Sequence, residues 1–148
     1  MKQEEKELLI KDLCGRLPYG VKAHVKNWSG LIMEWIENDY VVKSVFPSLN
    51  EVHVQSESGS LNVILGYDDY EIQPYLFPLS SMTEEQKKEY TYIVNYISSD
   101  DTDNWKEGEF IYVEQLDQLM HFYHKNHFDY RGIIPMGLAI DATNLNIY

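Results

Sequence analysis

The feature that most constrains the fold is a strict alternation of polar and apolar residues early in the chain. In the segment 21–26, valine and alanine occupy the odd positions and lysine and histidine the even ones. Successive side chains of a β-strand point to opposite faces, so this pattern predicts a strand with one buried and one solvated face. We therefore expect a sheet whose apolar side is covered by other elements.

Further segments of the middle of the chain are also typical of strands, because they are rich in β-branched and aromatic residues and are separated by turn residues. The predicted strands are 31–36, 40–46, 51–55, 61–65 and 70–77, with a turn at 37–39, loops at 47–50 and 66–69, and a hairpin loop at 56–60. Pro74 cannot donate a hydrogen bond to a neighbouring strand, which predicts that the last strand lies at an edge.

Helical patterns lie on both sides of this region. Apolar residues spaced three and four apart predict a first helix over about 4–17. Thr83 begins a T-x-x-Q capping box and so a second helix. A third is predicted over about 113–125, and the acidic stretch 98–109 before it is interpreted as a loop that exposes Trp105.

Together these patterns predict an α+β fold in a single domain, 1–148. It has an N-terminal helix, a central antiparallel sheet of about five to six short strands, and two C-terminal helices packed on the sheet. Closure of the sheet into a partly open barrel remains an alternative. A chain of 148 residues is long enough to bury a core without disulfide bonds.

The charge of the chain argues against several kinds of partner. The formal net charge is −12, from 24 Asp and Glu against 12 Lys and Arg, and the only arginines are Arg16 and Arg131. Direct binding to nucleic acid, which needs clustered cations, is disfavoured, and so is adhesion to an anionic membrane. A basic protein is the partner that this charge suits, and association with further copies of the chain stays open.

Cysteine content and hydropathy point to the cytoplasm. Cys14, the single cysteine, cannot form an internal disulfide and falls on the apolar side of the first predicted helix. The N-terminal residues have mixed charge and are not followed by an apolar run of signal-peptide length. The most apolar stretch elsewhere, 133–140, is far shorter than the roughly 20 residues that cross a bilayer.

The best candidate for a chemical site is the cluster His121, His124, His127 and Asp129. Residues three apart on a helix are neighbours, so His121 and His124 could share a face, and His127 could fold back towards them. Imidazoles with a carboxylate suit zinc or iron. The alternative is structural: the first two histidines complement the helix C-terminus, and Asp129 pairs with Arg131 or caps a turn.

Two other groups of charged residues have simpler interpretations. Asp68, Asp69 and Glu71 could in principle carry out acid–base hydrolysis, but they fit a solvated turn better. The row Lys22, His24 and Lys26 could bind an anion, although such a row is usually the wet face of a strand. The chain has no nucleophile elbow, Walker-type loop, dinucleotide fingerprint or paired-cysteine metal site, and no cofactor is predicted.

Three segments, 8–21, 74–83 and 127–132, resemble a family of uncharacterised small proteins of Bacteroides-type gut bacteria and their phage-like mobile elements. They read LLIKDLCGRLPYGV, PYLFPLSSMT and HFDYRG. The family has no assigned activity, cofactor or catalytic residue, so the resemblance implies no chemistry. It implies a cytoplasmic bacterial or phage origin and draws attention to His127, Asp129, Tyr130 and Arg131.

The sequence thus favours a non-enzymatic accessory protein that binds a protein partner. The acidic charge, the twelve tyrosines and Trp105 motivate this hypothesis. The candidate binding residues are Trp105 and the segment from His127 to Arg131. One special case is an acidic decoy from a mobile element. The alternative from another class is a small metal-dependent or acid–base hydrolase that uses the histidine cluster.

Overall fold

A computed structural model of the chain describes the backbone of residues 1–98 and 105–148 and the side chains of residues 1–95 and 114–148. Within these ranges it contains three α-helices and six β-strands. The helices are α1 (Gln3–Arg16), α2 (Glu84–Ser98) and α3 (Trp105–Lys125), and the strands are β1 (Lys22–Ser29), β2 (Glu34–Phe46), β3 (Glu51–Ser56), β4 (Gly59–Ile64), β5 (Tyr70–Leu76) and β6 (Ile140–Asp141).

The strands form one open sheet in the order β4-β3-β2-β1-β5-β6. Neighbouring strands from β4 to β5 are antiparallel, whereas β6 runs parallel to β5. The predicted α+β class is confirmed, and the sheet is mixed and open, with no closure into a barrel. Strand β6 pairs only with Tyr75 and Leu76 of β5. At Pro74, β5 therefore has a neighbouring strand on the β1 side only, which suits a residue without an N–H donor.

The main core lies between α1 and the inner face of the sheet. Val21, Ala23 and Val25 are fully buried there, which confirms the alternation predicted for β1. Leu9 and Leu13 of α1 are also fully buried and belong to the same cluster. Each such side chain contributes roughly 1.5–3 kcal/mol through burial, so this stripe fixes α1 on the sheet.

A second apolar cluster lies between α2 and α3. Its buried members are Met82, Ile93, Phe122, Tyr123 and Phe128. The segment after α3 connects this cluster to the sheet, because Phe77 pairs with Phe128 in a parallel bridge directly beyond the end of β5. The two C-terminal helices therefore pack mainly on each other and reach the sheet through its β5 end.

The boundaries of several elements match their sequence signals. The capping box of α2 forms as expected: the Gln86 amide donates to Thr83 Oγ1 at 3.2 Å, and the Thr83 amide donates to Gln86 Oε1 at 2.8 Å. Helix α1 ends as predicted, in a short 3-10 turn at Leu17–Tyr19 followed by Gly20, whose φ of 65° is accessible mainly to glycine.

Several predicted elements are corrected by the structure. Residues 31–33, expected to begin a strand, form the turn between β1 and β2. The turn expected at 37–39 is the middle of β2, which runs unbroken from Glu34 to Phe46. Helix α3 begins at Trp105, eight residues before the predicted start at Val113, so 105–109 is helix and not loop. Strand β6, only two residues long, was not predicted.

Candidate functional site

The histidines proposed as metal ligands make separate contacts. His121, exposed on α3, places Nδ1 2.7 Å from the hydroxyl of Tyr19. His124 is buried one turn later, with Nε2 3.0 Å from the hydroxyl of Tyr130. Burial and the nearby guanidinium of Arg16 lower the pKa of His124. Each imidazole is thus engaged by a different tyrosine.

His127 lies past the end of α3 and faces the C-terminal residue. Its backbone adopts a φ of 55°, and its ring stacks on Tyr148 with 3.8 Å between the ring centroids. Burial, aided by the positive charges of Arg16 and Lys22, lowers the pKa of His127 to about 4. The ring is therefore neutral at pH 7, and its buried Nδ1 has no hydrogen-bond partner among the described residues.

Asp129 organises the turn that follows. Its two carboxylate oxygens accept hydrogen bonds from the backbone amides of Ile133 and Ile134, at 2.9 and 2.8 Å. Its own amide donates to the carbonyl of Phe77 at the end of β5. The carboxylate is fully used inside the fold, in the turn-capping role that was the alternative to metal binding.

The structure does not bring His121, His124, His127 and Asp129 together as ligands. Across the described part of the chain, no three His, Cys, Asp or Glu side chains are placed to hold a metal ion. The spacing along α3 was a correct indication that His121 and His124 are near neighbours, since both rings contact Tyr19. A metal site at these residues finds no support, and hydrogen bonds to Tyr19 and Tyr130 engage one ring nitrogen each of His121 and His124.

Tyr130 and Arg131 do meet, in a cluster that also contains two residues of α1. Arg16 and Asp12, both fully buried, form a bidentate ion pair, and Arg131 Nε lies 3.3 Å from the same carboxylate. Tyr130 places its ring 4.8 Å from Arg131 Cζ and 5.5 Å from Arg16 Cζ. The expected pairing of Arg131 with Asp129 is not seen, since Arg131 pairs with Asp12.

The remaining sequence candidates are accounted for as follows. The side chain of Trp105 lies outside the described residues. Asp68 and Asp69 are solvent-exposed in the turn before β5, and Glu71 is solvent-exposed near the start of β5. In the basic row, Lys26 and His24 are paired with carboxylates of β2, and Lys22 donates to the carbonyl of Ile147. This row is the solvated face of β1.

The feature that sequence reasoning missed is the tip of the β1–β2 hairpin, hereafter the apolar tip. Its members are large apolar residues with 38% (Trp28) to 94% (Leu31) of their surface exposed, and they comprise Trp28, Leu31, Ile32, Met33, Trp35 and Ile36. The available signal was the run from Leu31 to Ile36, which is bulky on both faces and was predicted to be a strand. A strand that is apolar on both faces needs cover on both, and no described residue covers this one enough to bury it.

The apolar tip projects beyond the sheet as a two-stranded ribbon. Strand β3 pairs with β2 only over 41–46, and β5 pairs with β1 only over 23–27. Trp28 and Trp35 lie opposite each other in the ladder, with their rings 5.9 Å apart at 67°. This cross-strand pair stiffens a ribbon that no third strand among the described residues supports.

Acidic residues surround the base of the apolar tip, hereafter the acidic collar. Its exposed members are Glu34, Glu37, Asp68, Asp69 and Glu71. The turn that carries Asp69 is held against the ribbon, because the Trp28 amide donates to the Asp69 carbonyl at 2.9 Å. Lys26 neutralises part of the collar through a 3.1 Å ion pair with Glu37.

Comparison with known proteins found no matching family model, no matching curated protein and no matching solved structure. The resemblance to proteins of Bacteroides-type bacteria and mobile elements accordingly stays a prediction. No helix within the described residues combines the length and the apolar character needed to span a bilayer.

Proposed function

We propose that this chain is an interaction protein that binds a protein partner by inserting the apolar tip into a cleft of that partner. The observation that carries the proposal is the exposure of six large apolar side chains on one projecting ribbon. Single exposed apolar residues are common on soluble proteins, but contiguous ones mark interaction sites. The ribbon gathers two tryptophans and four aliphatic or thioether side chains within nine residues.

The shape of the apolar tip favours a concave partner surface. Trp28 and Trp35 lie on the face of the sheet that carries Lys26 and Glu37, because they are two residues away along the same strands. Ile36, one residue on from Trp35, points to the opposite face. A ribbon that is apolar on both faces buries both only inside a groove. Tryptophan is also strongly enriched among the hot-spot residues that contribute most of the binding energy of protein interfaces.

The acidic collar indicates the charge of the partner. Carboxylates around an apolar contact favour a basic rim on the opposite surface and speed the encounter at low salt. They oppose approach to the anionic leaflet of a membrane. The partner that fits is therefore a protein with an apolar cleft and a basic edge, in agreement with the net charge of −12.

The distribution of the other carboxylates gives no support to the special case of a nucleic-acid decoy. Among the described residues, exposed acidic side chains are spread over several elements, including α1, β2 and α2. Two of them on α2 are paired with lysines, Glu84 with Lys87 and Glu89 with Lys125. The acidic collar is distinguished by its position around the apolar tip, and it is this combination that we propose to be functional.

The test compares capture of partners from cell lysate by the wild-type chain and by two variants. The first variant, Leu31→Ser with Met33→Ser, removes the two most exposed side chains of the apolar tip. The matched control, Leu49→Ser with Leu145→Ser, removes exposed leucines elsewhere. All four residues are at the surface, so both variants are expected to fold.

We expect one protein to be retained by the wild type and the control and lost by the tip variant. It is then purified, and its affinity for the three chains is measured by titration calorimetry. Loss of two anchoring side chains should weaken binding by roughly 10- to 100-fold. Equal affinity for the tip variant and the wild type would overturn the proposal.

Two further measurements test whether the apolar tip binds a membrane or a second copy of the chain instead. Sedimentation with phosphatidylcholine vesicles that depends on Leu31 and Met33 would replace the protein partner with a membrane. Concentration-dependent dimerisation that the tip variant abolishes, measured by analytical ultracentrifugation, would make the occupant a second copy of the chain. Either result would overturn the assignment of a different protein as partner.

A further inference from the structure

The two arginines of the chain converge on one carboxylate. Arg16 donates from Nε and Nη2 to the two oxygens of Asp12, at 2.6 and 3.1 Å, and from Nη2 to the carbonyl of Phe128 at 2.8 Å. Its side chain is 0% exposed. A guanidinium has five N–H donors, and these bonds use three of them. The two on Nη1 are buried and find no acceptor among the described residues.

Arg131 adds a further buried donor. Its Nε lies 3.3 Å from Asp12 Oδ1, but the geometry is not that of a hydrogen bond, and the atom has no other partner among the described residues. The second carboxylate nearby in the chain, Asp129, already accepts two backbone amides. Three buried N–H donors, two on Arg16 Nη1 and one on Arg131 Nε, therefore have no acceptor among the described residues. Leaving a buried donor without a partner costs about 1–3 kcal/mol, and more for a charged group.

The walls of this region are firmly placed. The Tyr130 ring contacts both guanidiniums and stacks on Tyr123, with 5.0 Å between centroids and 11° between planes. The Tyr130 hydroxyl lies 3.0 Å from Nε2 of His124. Arg131 is the more accessible of the two arginines, since 21% of its side chain is exposed and that of Arg16 is fully buried.

We propose that Arg16 and Arg131 bind a small anion that supplies the missing acceptor. The ligand class is a small anion, either a halide or an oxyanion such as phosphate or a carboxylate, because guanidinium donors need acceptors and a negative charge strengthens the bond. A planar guanidinium pairs well with oxyanions in a bidentate manner. This site is remote in sequence from the apolar tip, and the proposal does not depend on the proposed function.

The test measures the thermal midpoint of the full chain in sodium salts of chloride, phosphate, acetate and gluconate, at equal ionic strength and pH 7. Gluconate is the reference because it is too large for a closed site. Phosphate also stabilises proteins by exclusion from their surfaces, so each shift is compared between variants. Arg131→Gln removes the accessible donor, and Lys125→Gln removes the same charge from an exposed position on α3.

We expect at least one of the three small anions to raise the midpoint of the wild type above its value in gluconate by about 2 °C or more. The Lys125→Gln variant should keep this rise, and Arg131→Gln should lose it. A rise with chloride alone would indicate a halide site, and a rise with phosphate or acetate would indicate an oxyanion site. An equal rise in Arg131→Gln would overturn the proposal, and so would the absence of any rise, which would mean that water satisfies these donors.

Discussion

Gly15 of α1 packs directly against the His124 ring of α3. A Cβ atom added there would lie 2.8 Å from Cε1 and 3.0 Å from Nε2 of His124. That ring is buried and hydrogen-bonded to Tyr130, so it has little room to move. Alanine would gain up to about 1 kcal/mol in helix propensity. We expect the overlap to outweigh this gain, and Gly15→Ala to lower the free energy of unfolding by about 1–2 kcal/mol.

Urea unfolding of Gly15→Ala and of Gly30→Ala checks this prediction. Gly30 is the matched control, because an added Cβ there would have nothing within 4 Å. We expect Gly30→Ala to change the free energy of unfolding by less than about 0.5 kcal/mol. A Gly15→Ala variant as stable as the control would contradict this prediction, because the overlap with His124 would then cost no more than the gain in helix propensity.

His127 predicts how stability depends on pH. Its pKa is about 4 in the folded chain, against roughly 6.5 in an unfolded one. Protonation of the His127 ring is therefore less favourable in the folded state than in the unfolded state. The stabilisation by neutral His127 is complete above about pH 6.5 and is lost as the pH falls to about 4, by an amount on the order of 2–3 kcal/mol.

The variant His127→Asn removes this titration and keeps a residue that tolerates the φ of 55°. We expect it to be less stable than the wild type at pH 7.5, because the ring stack with Tyr148 is lost. Between pH 6.5 and 4, however, its free energy of unfolding should fall less steeply. Parallel urea titrations measure both slopes, and identical slopes would contradict the assignment to His127.

At the scale of elements, the turn after α3 depends on a single carboxylate. Asp129 accepts the amides of Ile133 and Ile134 from a buried position. We expect Asp129→Ala to lower the free energy of unfolding by about 2–4 kcal/mol, since one buried and one half-buried amide lose their acceptor. Asp129→Asn retains one acceptor oxygen and should lose roughly half as much.

The matched control for this turn is Asp141→Ala. Asp141 accepts the amide of Thr143 in a similar local motif, but at an exposed position where water can replace it. Its loss should cost no more than about 0.5–1 kcal/mol, measured by the same chemical unfolding. If Asp129→Ala cost no more than Asp141→Ala, the turn would not be what orders the C-terminal segment.

Elements with a strong local signal were predictable from the sequence, and those defined by a partner were not. The alternation of β1 and the capping box at Thr83 are local properties, and both formed as predicted. The segment 37–39 has turn-like residues, yet it stays extended because Glu37 and Asp39 pair with Lys26 and His24 across the strand. Such a pairing depends on register, which one strand alone does not reveal.

The polar cluster around Tyr130 and Arg131 was predictable in outline only. The segment from His127 to Arg131 does contain buried polar contacts, but Asp12 and Arg16, which complete the cluster, lie more than 110 residues earlier. Their spacing of four on α1 indicates a helical ion pair, and in general such pairs are exposed. Its full burial follows from the packing of α1 against the segment after α3.

At the scale of the whole molecule, the described residues form two separate apolar clusters. One lies between α1 and the sheet, and the other between α2 and α3. Phe128 connects them, through its bridge to Phe77 and its carbonyl bond to Arg16. Regions with few shared contacts can open separately, so we expect the α2–α3 unit to unfold locally before the sheet does.

Amide hydrogen exchange of a core variant in each cluster tests this expectation. Phe122, fully buried between α2 and α3, would leave a cavity on substitution by alanine, at a cost of about 3–5 kcal/mol. In Phe122→Ala we expect faster exchange in α2 and α3 and unchanged exchange in β1 and β2. Val25→Ala, in the other cluster, should accelerate exchange in the sheet and α1. Equal acceleration of all amides by Phe122→Ala would mean that both clusters unfold as one unit, and that the Phe128 connection couples them fully.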